Sequence, residues 1–126
     1  MTCIFRAIGF DFNVNDFLSR STLKPYKIWR KGEHKTPTHI NKASGLQLVA
    51  SEADMDEVPQ QIADSIEFLR LHHDELEKLQ QYDGAETLIL DFGIEDRNDV
   101  LQCDRFPPEL LRLAGNLGIG SEITRY

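Results

Sequence analysis

The residues able to do chemistry in this 126-residue chain are four histidines, two cysteines and 21 carboxylates, and their spacing is unfavourable for most reactions. His72 and His73 are adjacent, and neighbours on a helix point about 100° apart, so the pair cannot chelate one ion. His34 and His39 share a polar stretch whose only nearby carboxylate is Glu33, too few ligands for a metal centre. Cys3 sits in a run of strand character and Cys103 follows an acidic stretch, so neither has the electropositive surroundings of a nucleophilic thiol. No G-x-S-x-G, H-E-x-x-H, C-x-x-C or G-x-x-x-x-G-K-S/T motif occurs. Gly115, Gly118 and Gly120 follow a predicted helix and precede a strand. That reverses the order a phosphate loop needs, so they read as a helix cap. On these grounds no metal, cofactor or catalytic residue is expected, and an enzyme would need a site assembled from distant residues.

Charge is the stronger signal. Fourteen Lys and Arg against 21 Asp and Glu give −7, which argues against nucleic acid as a partner of the chain as a whole. The first 50 residues carry +5 and the rest carry −12. Two acidic clusters stand out: Glu52, Asp54, Asp56 and Glu57, then Asp91, Glu95, Asp96, Asp99 and Asp104. Such clusters solubilise a small protein and suit helix N-termini, but they also steer a basic protein partner into contact. The candidate partner-binding residues are Asp54, Asp56, Glu57, Glu95, Asp96 and Asp99. No D-x-D-x-D-G spacing is present, which excludes the common calcium loop.

The basic counterpart gathers Lys24, Lys27, Arg30, Lys31, Lys35 and Lys42, with Tyr26, Trp29, His34 and His39 among them. On a strand, Lys27, Trp29 and Lys31 share one face. A flat aromatic between two lysines can stack a base while the lysines hold phosphate, making these three an alternative ligand-binding set. The plainer reading puts Trp29 at the edge of the core with lysine stems over it. The chain lacks the aromatic-rich strand of an RNA-recognition sheet.

These residues must be positioned by a small set of elements. Residues 3–10 form an apolar, β-branched run that predicts a first strand. Asn13 suits a helix cap, with Val14, Phe17 and Leu18 as the apolar face of a short helix ended near Pro25. A second strand is predicted over 26–31, a loop over 33–44 and a third strand over 46–51. One long helix follows over 57–82, with Pro59 in its first turn. Ile62, Ile66, Leu69, His73 and Leu76 form its buried stripe, and His73 there reads as a hydrogen-bonded core histidine. Residues 87–92 predict a fourth strand, Pro107 opens a third helix, Gly118 caps it, and 119–126 close the chain as a strand. The order βαββαβαβ predicts a single α+β domain: a ferredoxin-like split βαβ core with a helix and strand appended. Such a sheet has exposed edges, which leaves room for a homodimer by edge pairing.

With 40% hydrophobic and 28% charged residues, the composition is globular rather than disordered. No run approaches the length of a membrane span. The opening residues carry Arg6 within their apolar run and Asp11 soon after, so they read as a strand rather than a signal peptide. Two distant cysteines without an export signal suggest reduced thiols in the cytoplasm.

Tyr26-Lys-Ile-Trp-Arg-Lys-Gly-Glu resembles the W-x-K-G strand end of a bacterial domain-of-unknown-function family, number 4279. The closing stretch from Phe106 through Pro-Pro-Glu-Leu-Leu to Tyr126 is similar to that family's terminal helix-strand signature, and Gly45-Leu-Gln-Leu-Val is compatibly placed between them. The resemblance spans nearly the whole chain. It implies a fold and supplies no reaction and no catalytic residues. By size, acidity and missing catalytic motifs the chain also looks like an immunity protein that binds and neutralises a cognate toxin. An acidic surface can mimic a nucleic-acid backbone over a basic nuclease site.

Overall fold

The computed structural model describes residues 1–97 and 101–126. Strand β1 (Cys3–Gly9) lies at the centre of a five-stranded sheet. Cys3, Phe5 and Ala7 are buried, while Ile4, Arg6 and Ile8 alternate with them on the other face, as a period of two dictates. Helix α1 (Val14–Ser19) follows, and the Asn13 side chain accepts the Asp16 N–H at 3.1 Å as its cap. Then come β2 (Lys27–Trp29), a small ribbon of β3 (His34–Thr36) and β4 (His39–Ile40), and β5 (Ser44–Ser51). Helices α2 (Val58–Leu71) and α3 (His73–Gln81) lead to β6 (Thr87–Ile94), and α4 (Pro108–Asn116) leads to β7 (Ile119–Arg125).

The sheet order is β2-β5-β1-β6-β7. β1 is antiparallel to both β5 and β6, and β2 is antiparallel to β5. The connection from β1 to β2 therefore skips β5, and that from β5 to β6 skips β1. This is the interleaved split βαβ arrangement expected from the element order, and the fold is α+β. The appended strand β7 adds to the outer edge of β6 in parallel, with Leu88 opposite Ile119. Parallel neighbours need a crossover, which α4 supplies. Gly118, at φ +67, makes the left-handed turn between them.

All four helices form one layer. Ser65 on α2 contacts Cys3 at 3.3 Å, the rings of Phe5 and Phe68 lie 6.0 Å apart, and Glu75 on α3 accepts a hydrogen bond from Ser21 just after α1. Phe5, Leu46, Leu48, Leu88, Leu90 and Phe92 meet Val58, Ile62, Phe68, Leu69, Leu76, Leu79 and Leu110 in one core. Each such side chain contributes about 1.5–3 kcal/mol when fully buried. The opposite face of the sheet is left without a helix among the described residues.

Four expectations are corrected. The predicted long helix breaks at His72, whose φ −103 and ψ 15 leave the helical region, so it caps both α2 and α3. The buried stripe is interrupted at the break rather than ended there: Leu76 is fully buried as expected, but His73 is half-exposed, with Nδ1 3.3 Å from Asp74 and Nε2 3.9 Å from Glu77. The buried polar positions of α2 are Gln61 and Ser65 instead. Finally, the second strand shrinks to three residues, and the predicted loop over 33–44 holds the β3–β4 ribbon. That ribbon is exposed on both sides, so it leaves no hydrophobic period to read.

Candidate functional site

Two surfaces collect the candidate residues. The first lies at the end of the sheet where β5 and β6 finish. After β5, the Ser51 hydroxyl donates to Asp64 Oδ2 at 2.7 Å and accepts the Ala53 N–H at 3.1 Å, which turns the chain toward α2. The Glu57 N–H donates to the Asp54 carbonyl at 3.0 Å, so Asp54, Asp56 and Glu57 occupy one tight turn. The Glu95 N–H then donates to the Met55 carbonyl at 3.2 Å. Beneath this, the fully buried Gln61 donates through Nε2 to the carbonyls of Asp54 at 3.2 Å and Gly93 at 2.8 Å. Two acidic segments some forty residues apart in sequence are thereby fastened together.

Asp54, Asp56, Glu57, Glu95 and Asp96 are all exposed there. Among the described residues their counter-ions are few: Arg125 lies 3.8 Å from Asp96, and the N-terminal amine lies 4.0 Å from the neighbouring Glu52. Asp99 lies outside the described residues. Two further members of the second sequence cluster play other parts. Asp104 pairs with Arg97 at 3.0 Å, and Asp91 is buried on the helix-free face of the sheet.

That face carries the second surface, a basin of about 600 Å³ between the sheet and the β3–β4 ribbon. Arg6 and Gln47 line it on the sheet, Lys27 and Trp29 at the β2 edge, and His34 and Lys35 on the ribbon. Trp29 stands opposite Gly45 in the β2–β5 register. The indole lies directly over that glycine: a Cβ at position 45 would come within 2.3 Å of Trp29 Cζ2. A side chain there would push the ring off the sheet, so Gly45 is what allows it to lie as a wall of the basin.

Arg6 is held from below. Its Nη2 donates to Asp91 Oδ2 at 2.7 Å, its Nη1 lies 3.7 Å from Glu122 Oε2, and Thr124 Oγ1 donates to Asp91 Oδ1 at 2.7 Å. At 24% and 11% side-chain exposure, Arg6 and Asp91 make a largely desolvated pair whose remaining donors and acceptors are partly satisfied. Arg30 is engaged as well, donating to Asn15 Oδ1 at 2.8 Å and lying 3.6 Å from Glu33. Lys27 and Lys35 have no carboxylate within salt-bridge distance among the described residues. The basin's unmatched positive charge therefore rests on these two.

Of the sequence-predicted set, Lys27 and Trp29 line this basin and Lys31 does not. β2 ends at Trp29, and Lys31 turns away so that its Nζ sits 3.2 Å over the Phe10 ring, with Asp11 Oδ1 at 3.8 Å. The three-residue set leaves out Arg6 and Gln47, and it leaves out Lys35, which the sequence places only in the wider basic segment. Alternation along β1 carries the signal for Arg6, since a period of two sets it on the face away from Phe5 and Ala7. Nothing local marks Lys35, because its place depends on the fold of the ribbon.

Among the described residues, no group of three or more His, Cys, Asp or Glu side chains is placed to hold a metal ion, and both cysteines are free. Among the described residues, no helix is long and apolar enough to cross a membrane. No curated protein and no solved structure is detectably similar to the chain. One family model matches it over residues 1–126, its whole length, and the chain belongs to that family, described as Domain of unknown function (DUF4279).

Proposed function

We propose that this chain is a non-catalytic protein-binding module whose acidic end captures a basic partner, in the manner of an immunity protein that covers and neutralises a toxin. The observation that carries the reading is the Glu95 N–H bond to the Met55 carbonyl. It unites two acidic segments into one exposed patch whose counter-ions among the described residues are Arg125 beside Asp96 and the N-terminal amine beside Glu52. A patch of one sign accelerates encounter with an oppositely charged surface and contributes specificity more than raw affinity. A cytoplasmic setting, in which Cys3 and Cys103 stay as thiols, belongs to the same reading.

The test is capture from a lysate of the protein's own organism, using tagged wild type beside the variant D54N/D56N/E57Q/E95Q/D96N. The wild type should retain a stoichiometric, nuclease-resistant basic protein that weakens as salt rises from about 0.05 to about 0.5 M, across which the screening length falls severalfold. The variant should lose that protein at every salt concentration. Equal capture by both would remove the acidic end from the interface.

A further inference from the structure

We propose that the basin beside Trp29 is a binding site for a nucleoside monophosphate, with the base against the indole and the phosphate held by Lys27 and Lys35. It shares no residue with the acidic end, and it stands or falls independently of the protein-binding reading.

The argument runs from shape to charge to chemistry. The basin's volume of about 600 Å³ is within the range that encloses small ligands. Its aromatic wall packs on the sheet: the ring is seated on Gly45, which positions it to receive a planar ligand. Base stacking on an aromatic ring contributes about 1–3 kcal/mol per base.

Charge then selects the other end of the ligand. Arg6 is matched by Asp91 and Glu122, and Arg30 by Glu33, so neither demands an outside anion. Lys27 and Lys35 have no such match. Two ammonium groups suit a phosphate monoester, which carries about −1.5 to −2 near pH 7, better than a carboxylate with a single charge. Positive charge gathered around one cavity of a protein of net charge −7 is the reverse of what composition alone would place there. Gln47 and His34 supply polar edges within the same cavity for the sugar or base.

Trp29 is the one tryptophan of the chain, so its fluorescence reports the basin directly. Titration with AMP, CMP, GMP and UMP, each beside its nucleoside and beside ribose 5-phosphate, tests the proposal. At least one nucleotide should give a saturable change with half-saturation below about 1 mM, with the nucleoside and the sugar phosphate each about tenfold weaker or more. The variant K27Q/K35Q changes two exposed side chains and keeps the reporter; it should weaken the nucleotide about tenfold or more and reduce its salt dependence. W29F, followed by calorimetry, should weaken both nucleotide and nucleoside. Four flat titrations would overturn the proposal, as would unchanged affinity in K27Q/K35Q. Affinity that appears only with single-stranded oligonucleotides and grows with their length would overturn it in favour of a nucleic-acid surface.

Discussion

The Cys3 thiol has no solvent exposure and lies 3.3 Å from Ser65 Oγ, beneath the helix layer, whereas Cys103 is exposed. Burial pushes the Cys3 thiol from its ordinary 9.0 up to about 12, and the Ser65 contact only partly opposes it. Because the folded value is raised, the thiol's contribution to stability is fully present below the ordinary value and is lost as pH climbs from about 9 toward 12. A disulfide-exchange reagent at pH 8 should therefore modify one thiol per native chain quickly and two in denaturant. Two fast thiols in the native protein would show that β1 is not sealed beneath α2. The same alternation that buries Cys3 turns Arg6 to the opposite face, which is why a charged residue inside an apolar run marks a two-faced strand. Trp29 was legible as a candidate because of its type. Gly45, on which it depends, was legible only as the start of a strand, since the contact joins residues sixteen apart through the β2–β5 register.

At the scale of elements, α3 is tied to the chain after α1 by Glu75, which accepts from Lys78 Nζ at 3.1 Å and from Ser21 Oγ at 3.0 Å. The Lys78 bond is the main cause holding the Glu75 carboxyl below its ordinary 4.5; burial pulls the other way, and Ser21 assists. A depressed folded value means that this clasp stabilises above the ordinary carboxylate range and is lost as pH falls through the folded value. Urea midpoints measured from pH 7 down to about 3 should fall for the wild type, and the fall should be shallower in E75Q. A parallel decline in the two proteins would exclude Glu75 as a contributor. Nearby, the Tyr82 hydroxyl donates to Asp16, which pushes the phenol up from its ordinary 10.0, and the Tyr82 ring meets those of Phe12 and Phe17. The element order alone carried the split βαβ core, because strands and helices of this length leave clear periods. The break at His72 was hidden because a four-three-four-three spacing continues smoothly through it, and no glycine or proline marks the position.

Over the whole molecule, the basic first part and the acidic remainder of the sequence become two surfaces in separate places: a basin on the helix-free face and a patch at one end of the sheet. The acidic end can serve folding or binding, and the two roles predict opposite signs of a stability change. If the carboxylates serve folding, they do so through the N-terminus of α2, where acidic side chains contribute about 0.3–1 kcal/mol each, but only within the first turn. Glu57 stands there without a side-chain cap bond, and the first turn itself holds no acidic residue. Among the described residues Asp54, Asp56 and Glu95 have no cation within salt-bridge distance and Asp96 has Arg125 at 3.8 Å, and exposed like charges repel by a few tenths of a kcal/mol per close pair. Repulsion should win. The variant D54N/D56N/E57Q/E95Q/D96N should be more stable than wild type by about 1 kcal/mol at low salt, and the difference should shrink as salt screens the patch. Chemical unfolding of both proteins at two ionic strengths reads this directly. A less stable variant would mean that the patch holds α2 in place, and the case for a binding role would lose its physical ground. A more stable one would show that the fold retains an unfavourable concentration of charge, which is the mark of a surface shaped for a partner rather than for the chain's own folding.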